Sequence, residues 1–396
     1  MKQSKYKFVP FLIVFIPLLA IVGVFLLILF YIYSFKWALI LGGILVLLPI
    51  ISIKPVHELQ LRYNAENNYD EFGRSKTKGD YKRLSKAERD EIDLQKTAAM
   101  EMLISSTVID KITHEGSINP QKDMDSLIGL YPVKNKMNEL VARMRFENEK
   151  MAEENKGKKK KDYIKPNLSG NHLIFFGPPG TGKTTVARIW AGFLYQNGYI
   201  PKNKCVEIDG NFLMAGESTA LKTEYIIQRA YDGVLFIDEA YTLATSNAGR
   251  AAIATIIKQM EDHRDRFVLI LAGYTNEMKE LLEANPGFTS RIKEYMSFPD
   301  YSIEELGDIF VKMANENNFV VDQGAIDNFK LRIQKEQKLN SFGNARTVRN
   351  VLDESISKHA QNFYNGELRE LDALGNEKDN RYRLMQKDVS TQINYI

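Results

Sequence analysis

Residues 177–184 read Gly-Pro-Pro-Gly-Thr-Gly-Lys-Thr, and this stretch decides the fold that the sequence predicts. A Gly followed by four residues and then Gly-Lys-Thr is the pattern of a phosphate-binding loop. The apolar run 172–176 before it predicts a strand, and apolar residues at helical spacing follow it. Because such a loop joins a strand to a helix N-terminus, backbone N–H groups and the helix dipole meet phosphates there. The sequence therefore predicts binding of a nucleoside triphosphate.

The residues of this loop have separate predicted roles. Lys183 is expected to reach the β- and γ-phosphates, and Thr184 is expected to ligate Mg²⁺. The glycines allow the backbone to approach the phosphates closely. The predicted nucleotide-binding residues of the loop are Gly177, Pro178, Pro179, Gly180, Thr181, Gly182, Lys183, Thr184 and Thr185.

A second apolar run, residues 233–237, ends in the adjacent carboxylates Asp238 and Glu239. At a strand tip, one acid can hold Mg²⁺ while its neighbour polarises the attacking water for in-line displacement at the γ-phosphate. We assign the first role to Asp238, beside Thr184, and the second to Glu239. Together with the loop, this pair predicts an ATPase, not a kinase or a GTPase.

Strand and helix patterns alternate along the chain, which predicts an α/β fold with a mostly parallel sheet covered on both faces. After residue 300 only helical patterns follow. We expect a transmembrane hairpin over 1–55, a charged linker with a helix over 56–122, a nucleotide-binding domain over 123–300, and a helical domain and tail over 301–396. The five predicted strands are 172–176, 205–208, 234–237, 267–271 and 295–298. The predicted helices are 85–112, 133–141, 186–194, 219–231, 251–261, 277–284, 303–314, 323–337 and 347–364.

The N-terminal region predicts two membrane spans. Residues 8–32 carry no charged side chain, and a second apolar run covers 38–53; a spanning helix needs about 20 apolar residues. Lysines and arginines cluster before the first run and after the second, which predicts that both termini and the ATP site are cytoplasmic, in a two-span protein of the cell membrane. The alternative, a cleaved signal peptide, would have a shorter apolar region of about 7–15 residues.

Composition excludes several classes of protein. The single cysteine, Cys205, excludes an internal disulfide framework and a cysteine-based zinc cluster, and the five histidines are scattered. A formal net charge of +3 does not argue for nucleic acid, which we do not expect as a partner. The lysine-rich stretch 156–161 is interpreted as a solvated loop, with contact to anionic lipid headgroups as the alternative.

With these motifs the chain resembles the AAA+ ATPases, and within them the group of the stage V sporulation protein K type and the red-type Rubisco activase. The resemblance covers roughly residues 123–362. It is carried by seven ordered motifs at residues 127–130, 177–184, 233–241, 269–274, 285–292, 298–301 and 342–349.

The resemblance implies a five-stranded AAA+ sheet with a C-terminal helical lid, and it assigns further residues. Ile128 and Gly129 would line the adenine pocket. Arg346, in Gly-Asn-Ala-Arg, matches the second sensor, through which the lid detects the nucleotide. Asn276 matches the first sensor, which helps to place the attacking water; Thr275 is the alternative.

Arg291, in Ser-Arg-Ile, matches the arginine finger that reaches the γ-phosphate of a neighbouring subunit, where it would stabilise charge in trans. From residue type alone, an ordinary surface salt bridge is the alternative. A finger that acts in trans implies a ring, and the resemblance implies a homohexamer.

The sequence departs from the family at one place. Remodelling members have an aromatic, an aliphatic and a glycine in the loop that grips substrate in the central pore, whereas this chain has Met214-Ala215-Gly216, with Phe212 nearby. Methionine can still grip because it is adaptable; the alternative is a purely structural connection.

Three hypotheses for function follow. The leading one is a membrane-anchored ATPase with chaperone-like activity, which remodels or disassembles a protein partner. Its rival is an ATPase switch or assembly subunit of a membrane or secretion complex, without threading. DNA-directed activity is the weakest because no DNA-binding domain is evident, and a membrane-bound protease is disfavoured because the chain contains no His-Glu-x-x-His motif.

Overall fold

The computed structural model describes residue 104 and residues 106–159, 162–215, 218–368 and 379–393. The predicted hairpin at 8–53 and most of the predicted linker lie outside these residues. Where the structure describes the chain, no helix combines the length and the apolar character that crossing a bilayer requires. The elements below all belong to one compact unit, residues 106–396.

A six-stranded sheet forms the centre of this unit, in the order β1-β3-β4-β5-β2-β6. All the strands of this sheet other than β1 run parallel to one another: β3, β4, β5, β2 and β6. The five predicted strands and the mostly parallel sheet are therefore confirmed. The strands are β1 (Thr113–Glu115), β2 (Leu173–Phe176), β3 (Lys204–Asp209), β4 (Val234–Asp238), β5 (Val268–Gly273) and β6 (Glu294–Ser297).

The prediction of five strands was one short. Strand β1 lies in the predicted linker and pairs antiparallel with β3, with His114 opposite Cys205. The pairing continues into the next turn, where the Gly116 amide donates to the Asn203 carbonyl at 3.2 Å. A three-residue edge strand contains too few residues to show periodicity, so only its backbone pairing reveals it. The end of the predicted linker is therefore part of the sheet.

Helices cover the sheet and explain why its central strands are apolar throughout. Every residue of β5 is buried, as are the first three of β2 and the first four of β4; a parallel sheet covered on both faces has this pattern. The helices before and between the strands are α1 (Ser106–Ile112), α2 (Pro120–Asp125), α3 (Tyr131–Glu154), α4 (Lys183–Gln196), α5 (Gly210–Met214), α6 (Thr219–Ala230), α7 (Asn247–Asp262), α8 (Thr275–Ala284) and α9 (Pro286–Thr289).

A helical lid follows the sheet, as predicted. It contains α10 (Ile303–Glu316), α11 (Gln323–Glu336) and α12 (Ala345–Tyr364). Ser302 begins α10 with a capping box, in which the Ser302 side chain and Glu305 each bond the other residue's backbone N–H. The prediction that no strand follows residue 300 was wrong. Val320–Val321 (β7) and Arg383–Leu384 (β8) form a short parallel pair, each too brief to produce a pattern.

The lid and the nucleotide-binding domain share one buried apolar cluster. Phe310 of α10 and Phe329 of α11 stack with ring centroids 4.3 Å apart, and both belong to the same cluster as Phe175 and Phe298 on the sheet side. Burying apolar surface stabilises by about 25 cal/mol per Å². This shared core holds the lid beside the carboxyl ends of the parallel strands.

Candidate active site

The predicted phosphate-binding loop leaves the carboxyl end of β2 and ends where α4 begins at Lys183. Gly180 lies directly beneath the lid. A Cβ atom built there would come within 2.0 Å of the Gly343 carbonyl oxygen, so only glycine fits at this approach. The loop is anchored to the sheet because the Gly177 amide donates to the Gly273 carbonyl at 3.1 Å.

Lys183 points into the loop that precedes it. Its ammonium donates to the carbonyls of Gly177 at 2.9 Å and Pro178 at 2.8 Å, and the side chain is buried. Burial lowers the pKa of Lys183, and nearby Arg346 lowers it further, whereas Asp238 and Glu239 act in the opposite direction. The charges of four predicted site residues therefore act on one another within one site.

Thr184 and Asp238 are the two predicted metal ligands, and both lie at the carboxyl edge of the sheet. Thr184 is in the first turn of α4, and Asp238 is the last residue of β4. One Asp238 oxygen accepts the Glu239 amide at 3.0 Å. A hydroxyl and a carboxylate are hard oxygen donors of the kind that Mg²⁺ prefers, so this donor set fits the ion.

Glu239 has a left-handed backbone, with φ 47° and ψ 37°, immediately after β4. This conformation costs a non-glycine residue roughly 1–2 kcal/mol and is characteristic of functional sites. The conformation is held by Thr242, whose amide and hydroxyl donate to the Glu239 carbonyl at 2.9 and 2.8 Å. Thr242 thus holds the backbone of the predicted catalytic residue, a role that was not predicted from the sequence.

Helix α5 packs directly against this turn. A Cβ atom on Gly210, the first residue of α5, would lie 2.2 Å from the Thr242 hydroxyl and 2.9 Å from the Glu239 carbonyl. The structure therefore places Glu239 in backbone contact with the helix that ends at Met214. The sequence gives no sign of this contact because the two segments are about one strand and one helix apart in the chain.

The predicted adenine-pocket residues lie between the loop and the lid. Gly129 is buried and Ile128 is half-buried. A Cβ atom on Gly129 would contact Glu305 at the start of α10, and one on Gly182 would lie 3.8 Å from Leu130. The structure therefore brings this segment to the phosphate-binding loop, as the resemblance implies.

Asn276 and Thr275 are both exposed in the first turn of α8, just beyond the end of β5. The residue before them, Tyr274, stacks on Tyr241, which follows Glu239 closely in the chain, with ring centroids 5.4 Å apart. The placement of Asn276 at this edge suits a first sensor, and its role stays a prediction.

Arg291 follows α9 and forms an ion pair with Glu261 of α7 at 2.7 Å. Its guanidinium also donates to the Gly287 carbonyl and to the Ser290 hydroxyl. Within one chain, Arg291 therefore forms a surface salt bridge, the alternative to the finger that its residue type left open. The role of Arg291 as a finger in trans stays a prediction.

Arg346 lies in the first turn of α12, above the loop. The amide of its neighbour Ala345 donates to the Gly180 carbonyl at 3.2 Å. Two other residues lie at this junction and were not predicted from the sequence: Asn344 and Tyr301. Both lie within motifs that carried the resemblance, but their residue types alone gave no role.

Met214 is half-buried, and its sulfur accepts a hydrogen bond from the Ser246 hydroxyl at 3.2 Å. Phe212 is covered by the Lys222 ammonium, which lies 4.1 Å from the ring centroid. Both candidate gripping side chains therefore have contacts within their own chain. Residues 216–217 lie outside the described residues.

Comparison with known proteins shows the family of this chain. Residues 173–300 match the model of the ATPase family associated with various cellular activities (AAA), and residues 302–395 match the AAA lid domain. The chain belongs to the AAA ATPase family. It is an ATP-binding ATP hydrolase, and the matched segments cover strands β2 to β6 and the lid.

Three relatives illustrate the similarity. Stage V sporulation protein K of Bacillus subtilis is 36% identical over 256 residues, which cover 62% of this chain and 76% of the relative. Protein CbbX of Cereibacter sphaeroides is 38% identical over 62% of this chain and 79% of its own length. The chloroplastic ribulose bisphosphate carboxylase/oxygenase activase of Cyanidioschyzon merolae is 36% identical over 61% of this chain and 82% of its own length.

Proposed function

We propose that this AAA ATPase uses ATP hydrolysis to remodel or disassemble a protein partner at the cytoplasmic face of a membrane. The observation that carries the proposal is the backbone contact between Glu239 and Gly210. It provides a direct mechanical path from the hydrolytic carboxylate to the Met214 segment (Gly210–Ala215), which occupies the place of a substrate-gripping loop. The name of one relative, the activase of another enzyme, supports an action on proteins.

The site chemistry follows from the placement of its groups. Lys183 balances the charge of the β- and γ-phosphates, and Glu239 accepts a proton from the water that attacks the γ-phosphorus. The new oxygen–phosphorus bond forms as the bond to the β,γ-bridging oxygen breaks, which releases ADP and phosphate. Thr184 and Asp238 would hold Mg²⁺, which would neutralise charge at the phosphate oxygens.

The remaining assignments belong to the same proposal. Asn276 orients the attacking water, and Arg346 joins the lid to the nucleotide. Arg291 leaves Glu261 and reaches the nucleotide of a neighbouring subunit in a homohexamer. Its side chain is 30% exposed and lies close to the surface, where a neighbour can approach.

Membrane attachment is proposed from the sequence. Residues 8–53 would form two spans, with both termini and the ATPase domain in the cytoplasm of a cell-membrane protein. The second candidate function, an ATPase switch within a membrane or secretion complex, is favoured by the bond that Ser246 makes to Met214, because a side chain already engaged is less free to grip a substrate.

A nucleotide-dependent capture separates the two functions. Glu239→Gln, tagged and expressed in its native membrane, is purified with ATP beside Lys183→Ala as the matched control that cannot bind nucleotide. Remodelling predicts a protein retained by Glu239→Gln alone, and released when ATP is exchanged for ADP. Retention of the same membrane components by both variants, with or without ATP, would refute remodelling and support the resident subunit.

A further inference from the structure

The lid touches the phosphate-binding loop through three consecutive carbonyl groups. The Pro179 carbonyl accepts from the Asn344 side-chain amide at 3.2 Å, and the Gly180 carbonyl accepts from the Ala345 backbone amide at 3.2 Å. The Thr181 carbonyl accepts from the Tyr301 hydroxyl at 3.3 Å. Every donor comes from the lid or from the segment that joins the lid to the sheet domain.

Asn344 uses its whole side-chain amide in this junction and is fully buried. Besides Pro179, its NH₂ group donates to the Asp300 carboxylate at 2.8 Å, and its oxygen accepts the Tyr301 amide at 3.0 Å. Two partners are acceptors and one is a donor, so the partners fix the orientation of the amide. Asn344 thus joins the loop, the lid and the connecting residues 300–301.

The backbone at Asn344 is adapted to this task. It has φ 48° and ψ −123°, outside the left-handed helical region, a conformation that suits glycine and that another residue keeps only where its surroundings hold it. The turn is closed by Thr347, whose hydroxyl accepts the Gly343 amide at 2.9 Å. Burial raises the pKa of Tyr301 to about 12, so its hydroxyl remains protonated and can donate.

Peptide geometry links these bonds to nucleotide binding. In a planar trans peptide the C=O and the following N–H point in opposite directions. Carbonyls of residues 179–181 that are fixed towards the lid therefore turn the N–H groups of residues 180–182 the other way. Aligned N–H groups of this kind form the anion-binding concavity of a phosphate-binding loop.

We propose that Asn344 and Tyr301 are positioning residues, which form a latch that holds the phosphate-binding loop in its binding shape through the carbonyls of residues 179–181. The latch makes lid docking and nucleotide affinity interdependent. The proposal rests on ATP binding at this loop and is independent of membrane attachment and of any partner.

The test compares two asparagines with positive φ in the same lid. Asn344→Gly removes the side-chain bonds, and glycine can still adopt the same backbone conformation with positive φ. Asn318→Gly (φ 63° at an exposed turn) is the matched control. We measure release of N-methylanthraniloyl-ADP from the full-length chain by stopped flow, together with KM and kcat for ATP. Asn344→Gly should speed release and raise KM, each about tenfold, whereas Asn318→Gly should match the wild type.

Tyr301→Phe gives an independent reading because it removes one hydroxyl and leaves the Tyr301 amide bond in place. We expect release to become roughly two- to fivefold faster, in line with the loss of a single hydrogen bond. A purely structural role would lower kcat through a smaller folded fraction and leave KM and the release rate unchanged, and that result would overturn the latch. If Asn344→Gly does not fold, an unchanged release rate in Tyr301→Phe overturns it equally.

Discussion

The phosphate-binding loop and the Met214 segment both leave the carboxyl edge of the same parallel sheet, but they hold their functional side chains differently. Lys183 is buried and donates to two carbonyls of its own loop. Met214 is half-buried and bonded to Ser246, which lies on another element. The main chain therefore arranges the groups for ATP chemistry in advance, whereas contact with a partner requires side chains to exchange their present neighbours.

The largest effect should come from Glu239→Gln, which tests the groups that the main chain arranges for ATP chemistry. An amide cannot accept the proton of the attacking water, so ATP hydrolysis should fall about 10²–10⁴-fold, while nucleotide binding is kept. Steady-state phosphate release and a binding titration measure the two effects. Glu277→Gln, at an exposed site in the first turn of α8, is the control; brisk hydrolysis by Glu239→Gln would place the base elsewhere.

Lys183→Ala should weaken ATP binding by about 100-fold, because a buried charge-assisted contact with phosphate contributes roughly 1.5–3 kcal/mol. Calorimetric titration of the full-length chain with ATP measures the change. Lys204→Ala is the matched control: burial lowers the pKa of Lys204 too, but it lies at the opposite, amino-terminal end of β3. Equal affinities for the Lys183→Ala variant and the wild type would contradict the assignment.

The strand that leads into the phosphate-binding loop has a buried histidine before it. The His172 ring nitrogen Nδ1 accepts the Leu269 amide at 3.0 Å, and burial lowers the pKa of His172 to about 4. The folded state therefore binds fewer protons than the unfolded state, whose histidine has a pKa of about 6.5. The resulting stability is fully present above about pH 6.5 and is lost as the pH falls towards 4.

His172→Asn tests this pH dependence because it keeps an acceptor for the Leu269 amide without a titrating group. Between pH 7.5 and 4.5 the free energy of unfolding of the wild type should fall by about 2.5 kcal/mol more than that of the variant. Denaturant titrations at the two pH values measure the difference. Identical losses in both proteins would show that His172 is not held neutral.

Met214→Ala should have the smallest effect on ATP hydrolysis, within about a factor of two, because the half-buried side chain contacts Ser246 and none of the residues assigned to ATP binding or hydrolysis. Capture or remodelling of the partner should be lost, and Phe212→Ala should act in the same direction. Tyr364→Ala, at an exposed aromatic of the lid, is the control. Intact remodelling in both segment variants would refute threading.

Much of this molecule could be predicted because its information is local. The phosphate-binding loop, Asp238 and Glu239 each follow an apolar strand directly, so a short stretch of sequence reveals both the residue and its place. The parallel strands and the lid helices were found from periodicity, apart from shifts of a few residues at their ends. What the sequence missed were short elements such as β1, whose three residues contain no pattern.

The sequence by itself determined the ATPase, since adjacent residues in a motif remain adjacent in the fold. Only the tertiary structure decided how the site is supported. Asn344 donates a hydrogen bond to Pro179, 165 residues away in the chain. Gly210 contacts Glu239 at the carboxyl edge of the sheet, where β3 and β4 end side by side. These contacts depend on where packed elements bring distant backbone groups, and a burial pattern along the chain does not carry that information.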